Sequence, residues 1–263
     1  MDAVQVVEFL VRVAGTGAIV ILVVELAARA GPAFGGIFAG LPIVLGPGYF
    51  FLLRDQPLAF VVDSALLSLL SLTATQMFLL IYVIAPARLA PVSTLALAAT
   101  VWILTALLLG AVEPGIATGG VSFALATLLA WRLGRGFVRP QAGRAGQRSF
   151  LLLLLRGLAA GLLVGLISIL SSTFGSRLSG ALLAFPIGFA TIGLSLHRDL
   201  GVIAVTRTAH ASLFGMTSLA VFCITLALVL QPLGASIGFL LAIAMSVGSA
   251  AFALALTRRL GGG

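Results

Sequence analysis

Asp63 and Arg207 stand 144 positions apart, each a turn or two inside a long apolar run. A charge near the centre of a membrane helix costs about 2.5 to 3.5 kcal/mol on insertion scales, so such groups face a cavity, find a partner or snorkel. Both readings stand here: two separate vestibule-facing charges, or two side chains reaching the nearer interface. A direct ion pair is not expected, because the two fall toward opposite faces, roughly 15 Å apart in depth within a hydrocarbon core. His210 follows Arg207 by three residues on the same helix face, where an imidazole either relays protons or sits as a satisfied structural group. Glu25 lies about a turn inside the end of its run, as a proton-coupling carboxylate or as a partner of Arg29. Ser64, Ser68, Ser71 and Thr75 share one face by their four-three-four spacing. Ser68 and its neighbours either line a polar path or bond a neighbouring helix. Pro42 and Pro186 fall mid-run, where each removes a backbone donor and kinks or breaks its helix. Such a break exposes backbone groups to a solute, or is a packing kink.

These residues belong to no soluble-enzyme pattern. The chain carries no P-loop, no HExxH, no nucleophile elbow and no cluster of metal ligands, so no catalytic residue, metal or cofactor is expected and the protein is not read as an enzyme. The lone Cys223 lies inside an apolar run and can form no intrachain disulfide. Gly157, Gly161 and Gly165 form a double GxxxG ridge suited to close helix packing.

The elements that must position these groups follow from composition. The 263-residue chain is 61% hydrophobic and 8% charged, with a mean hydropathy of +1.24. A soluble core needs far less apolar surface. Apolar runs long enough to cross roughly 30 Å of hydrocarbon, with no strand-type alternation, predict an all-α polytopic membrane protein. Nine spans are expected: 4–28, 35–53, 58–84, 92–111, 115–133, 150–172, 177–196, 201–230 and 233–257.

A gap-free shift of 144 residues lays the second half on the first. It pairs Gly36 with Gly180, Pro42 with Pro186, Arg54 with Arg198 and Asp55 with Asp199. Pro, Arg and Asp are scarce in this chain, so their coincidence in one register carries the repeat. The expected organisation is a four-helix unit (1–111), a linker span with a basic loop (112–149) and a second four-helix unit (150–263). An odd linker span inserts the second unit upside down relative to the first, the plan of many transporters. Asp55 and Asp199 sit where an N-cap to the following helix is expected.

All fifteen basic residues are arginine, and the formal net charge is +8. Their crowding at segment ends is read as topology setting rather than nucleic-acid binding. Ten arginines on one side against Arg54 and Arg177 on the other place the N-terminus outside and the C-terminus in the cytoplasm of a bacterial inner membrane. The partners expected are the bilayer and an unidentified small solute. No nucleic acid is expected, and homo-oligomerisation stays open.

The run Ser179-Gly180-Ala181-Leu182-Leu183-Ala184-Phe185-Pro186, with Arg198-Asp199 and the stretch from Ala204 to Thr208, resembles the GlpM-like family of small four-helix membrane proteins. The first half keeps Gly36, Leu41-Pro42 and Arg54-Asp55. The resemblance implies architecture rather than activity: a fused, inverted pair of units imitating an antiparallel dimer. The functional expectation is a transporter or permease working by alternating access. The alternative is a non-transporting membrane scaffold or envelope-assembly accessory protein.

Overall fold

The computed structural model describes residues 3–30, 42–139 and 150–260, with the side chains of 3–5, 23–30, 150–153, 156, 174, 254 and 256–260 outside the description. The described residues are helical throughout, with no strand. In chain order the helices are α1 (Ala3–Ala30), α2 (Leu45–Asp55), α3 (Leu58–Ile84), α4 (Pro91–Leu109), α5 (Ile116–Gly134), α6 (Phe150–Leu183), α7 (Ile187–Asp199), α8 (Gly201–Gly215) and α9 (Thr217–Leu260). A short 3₁₀ turn, Arg135–Phe137, extends α5. Sequence chemistry sets several boundaries: Pro57 and Pro91 stand where a missing N–H costs nothing, at helix starts. α6 and α9 each leave helical geometry at a glycine, Gly175 (φ 70°, ψ 171°) and Gly234 (φ 76°, ψ 171°), a region that side chains with a Cβ avoid.

Five stretches among the described residues are long and apolar enough to cross a membrane: Leu58–Ile84, Pro91–Leu109, Ile116–Phe137, Gly175–Asp199 and Gly201–Ala253. Helix formation there satisfies most backbone donors and acceptors internally, as hydrocarbon demands. α3 is the central element. It is buried around its circumference, from Val61 through Tyr82, and accordingly reads apolar on all sides. α4 and α5 instead expose leucines such as Leu104, Leu107, Leu108, Leu125 and Leu129, the outward surface a lipid solvent would cover.

Contacts give the helix directions. Along α6, Gly157 packs on Gly17, Gly161 on Val13 and Gly165 on Phe9, so α1 and α6 run antiparallel. A Cβ on Gly157 would come within 2.9 Å of the Gly17 carbonyl; the GxxxG ridge is what lets these backbones touch. The first limb of α6 ends where Ser171 accepts a hydrogen bond from the Gln56 amide (2.9 Å), at the start of α3. Beyond Gly175 the chain turns back and runs parallel to α3, with Ser176 near Ser64 and Gly180 near Ser68. α5 is parallel to α3 as well: Leu69 meets Gly119, Thr73 bonds Ser122 (3.2 Å) and Val83 meets Gly134.

These directions sort the described charges into two ends. The end where α3 begins carries Glu8, Arg12, Arg54, Asp55, Asp63, Glu113 and Arg177. Arg12 grips Asp55 with both guanidinium nitrogens, lies 3.6 Å from Glu8 and stacks over the Phe51 ring; Arg177 faces Glu113 at 3.5 Å. Asp55 is thus held by Arg12, and α3's N-cap residue is Pro57 with no side-chain cap, so capping by Asp55 is corrected to ion pairing. The opposite end carries Arg88, Arg132, Arg135, Arg139, Arg198, Asp199 and Arg207: six arginines and one carboxylate.

Candidate functional site: a broken helix against one central helix

The break lies between α6 and α7. Pro186 cannot donate, and its φ of −80° and ψ of 54° form an inverse γ-turn in which the Ile187 N–H donates to the Phe185 carbonyl (2.8 Å). The Ala184 carbonyl, stranded by the break, accepts from the Thr75 hydroxyl of α3 (2.9 Å). The Trp102 indole N–H of α4 donates to the same Thr75 oxygen (3.2 Å), and its ring meets Phe185 edge-on at 5.0 Å.

A one-residue irregularity falls at Met216, between α8 and α9, where the backbone keeps right-handed helical geometry (φ −64°, ψ −13°). The Met216 N–H donates to the Ser212 carbonyl (3.0 Å), the Ala220 N–H donates to that of Met216 (3.2 Å), and the Gly215 carbonyl accepts from the Ser218 hydroxyl (3.1 Å). The Leu213 carbonyl accepts from the Gln76 side-chain nitrogen (3.0 Å). Ser246, beyond Gly234, ties itself to the Ser218 carbonyl at 2.7 Å. Thr75 and Gln76 are consecutive residues, about 100° apart around α3, so one helix step serves both places. Gln76 is fully buried and its Oε1 has no partner. An unpaired amide oxygen in such a place costs on the order of 1 to 3 kcal/mol, unless something donates to it.

The hydroxyl stripe takes one of its two expected roles. Ser64, Ser68 and Thr75 donate to the carbonyls of Ser176 (3.1 Å), Gly180 (2.6 Å) and Ala184, and the Tyr49 hydroxyl joins Ser68 at 2.7 Å. Ser68 is therefore helix-to-helix glue, where bonds of this kind are worth about 0.6 kcal/mol on average. Gly180 makes the approach feasible, since a Cβ there would overlap the Ser64 carbonyl. Ser71 is buried on the same helix.

The other sequence-derived positions do not converge on this point. Pro42 is buried just before α2, and its carbonyl accepts from Gly46 (2.7 Å) as that of Pro186 does from Ala190 (2.8 Å). Asp63 and Arg207 are both exposed. Thr208 lines a small cavity with Leu79 and Tyr82, which places Arg207 toward the end of α3 opposite Asp63. His210 is half-buried, with its Nε2 3.2 Å from the Trp131 carbonyl and its ring tilted over the indole. The side chain of Glu25 lies outside the described residues.

Sequence reasoning passed over Gln76, the Met216 break and His197. Gln76 was legible, as a carboxamide deep in a 27-residue apolar helix. His197 is buried at the end of α7, its ring bonded to the Pro86 carbonyl and its Nδ1 unpartnered. A cavity of about 10 Å³, on the scale of one water, lies between α3, α7 and α8 beside Tyr82 and Gly193. Among the described residues, no group of side chains could hold a metal ion. The groups around Thr75 and Gln76 are uncharged, and the carbonyls, hydroxyls and indole N–H there are paired with one another, which leaves the Gln76 Oε1 as the unpartnered polar atom of the cluster. Comparison with family models, curated proteins and solved structures finds no match to this chain.

Proposed function

We propose that the chain is an integral membrane transporter or permease for a small solute, bound where the Pro186 break and the Met216 turn of α8–α9 meet Thr75 and Gln76. The carrying observation is that one helix is interrupted at Pro186 within an apolar stretch, and that adjacent residues of the central helix bond carbonyls beside that break and beside the Met216 irregularity. Discontinuous helices of this kind place backbone dipoles at the substrate sites of many transporters.

The moving parts in this reading are two inverted four-helix units within a nine-span chain. Subtracting 144 from the bounds of α7 gives 43–55, against Leu45–Asp55 for α2. The same shift sends 201–228 onto 57–84, against Leu58–Ile84 for α3. The contact of Gly17 with Gly157 becomes that of Gly161 with Val13, as a two-fold relation between α1 and α6 requires. Antiparallel packing of the first helix of each unit supports opposite insertion. α5 has no counterpart and serves as the linker. The arginine-rich end is cytoplasmic by the positive-inside rule, which puts the N-terminus outside and the C-terminus inside in a bacterial inner membrane. The GlpM-like resemblance fits the same architecture. Pro42, the counterpart of Pro186 under the repeat, borders the site in the first unit, and Asp63, Arg207, His210 and Glu25 act at the two mouths.

Alternating access is testable without knowing the solute. In a Cys223→Ser background, single cysteines at Gln76 and Ala184 are exposed to a membrane-impermeant maleimide in vesicles of both orientations. Transport predicts labelling from each side, at different rates. Labelling from neither side favours the second reading, a non-transporting scaffold, for which the tight packing around α3 speaks.

A further inference from the structure

We propose that the cytoplasmic-type, arginine-rich end of α5 binds the phosphate headgroups of anionic phospholipids. The exposed apolar face of α5 runs through Val121, Leu125, Leu128 and Leu129, each more than half exposed. Arg132 continues that stripe, three residues after Leu129 and seven after Leu125, and it is exposed. A guanidinium in this register stands at the height where acyl chains give way to headgroups, on the face that lipid covers. The opposite face of the same turn is closed, because Gly134 packs against Val83 and His210. Arg135 stacks at 5.9 Å over Trp131, a residue type that anchors at bilayer interfaces, and Phe137 is exposed. Arg139 follows, also exposed. From Arg132 to Arg148 the sequence holds five arginines and no carboxylate.

Arginine suits this ligand. Its planar fork donates two parallel hydrogen bonds to a phosphodiester, and it stays charged at the interface. Juxtamembrane arginine clusters attract anionic lipid through the same chemistry. A soluble anion carries similar oxygens, but the site opens along a lipid-facing stripe rather than into a cleft, which selects the lipid.

Trp131 reports on the site directly, since Trp102, the second of two tryptophans, is buried. The full chain is reconstituted in phosphatidylcholine vesicles containing an equal minor fraction of dibrominated phosphatidylglycerol or dibrominated phosphatidylcholine. Quenching is read against a Trp131→Phe control. The expected result is an apparent affinity about five-fold higher for the brominated anionic lipid, the factor set by a single arginine–headgroup contact. The preference should vanish in the combined Arg132→Gln, Arg135→Gln, Arg139→Gln variant. It should also vanish in the unaltered protein at high salt, which keeps the test valid should the variant fold poorly. Equal quenching by the two lipids overturns the proposal, as does a preference that survives the triple substitution. Loss of the preference on adding millimolar inorganic phosphate would show a soluble-anion site instead.

Discussion

Single atoms decide how tightly the broken helix α6–α7 rides on α3. Ser68 bonds both Tyr49 and Gly180, and Gly180 lets the two backbones meet. Ser68→Ala should lower stability by about 1 kcal/mol, the scale of a net buried hydrogen bond. Gly180→Ala should cost more, about 1 to 3 kcal/mol, because the new methyl meets backbone that cannot swing aside. Thermal melts in one detergent check both, and a Gly180→Ala protein as stable as the parent would refute the close crossing. Asp63 and Arg207 raise a different question. Each is exposed, and they lie at opposite ends of α3. If both act on the solute path, Asp63→Asn and Arg207→Gln each slow maleimide labelling at Gln76 from one side. The exchange Asp63→Arg with Arg207→Asp should not restore it, since two separated charges have no pairing to recover. Recovery by the exchange would mean that the two residues act as a pair.

Helix ends and breaks carry the next level of organisation. Gly175 and Gly234 hold backbone geometry that is essentially confined to glycine. Alanine at either should cost about 1 to 3 kcal/mol, seen as lower melting points, whereas Gly188→Ala, with open space around its Cβ position, should change stability little. The Pro186 break was readable from the amino acids, because a mid-run proline removes a donor whatever surrounds it. The Met216 irregularity was not. Gly215-Met216-Thr217 stands where α3 has Ser71-Leu72-Thr73 and runs without one, so local propensity alone does not distinguish them. Beside it the Gln76 amide bonds the Leu213 carbonyl, a contact that spans 137 positions.

At the scale of the whole molecule, charge separation gives the firmest expectation. A reporter fused near Ala142 should be cytoplasmic, as should one after Arg259, while one near Gln56 should be external. Protease protection or alkaline-phosphatase activity reads the outcome. Ala142 and Gln56 on the same side would end the inverted-unit reading and, with it, the alternating-access mechanism.

Composition and pattern by themselves determined that this is a chain of apolar helices, where most of them begin and end, and that one is interrupted at Pro186. Those properties depend on the solvent each residue prefers and on backbone rules acting over a few positions. The hydroxyl stripe was equally visible, but its role was open, because a serine face suits a water path and a helix contact alike until the facing backbone is known. Tertiary structure alone decided that α3 is central, that its hydroxyls meet the carbonyls of 176, 180 and 184, and that Gln76 is left with an unpaired oxygen. It also decided that Asp63 and Arg207 point outward and that His210 rests on Trp131. Each of these outcomes depends on which helix lies opposite. That is set by packing shape and by the freed carbonyls of distant segments, quantities that no local reading of residue types contains.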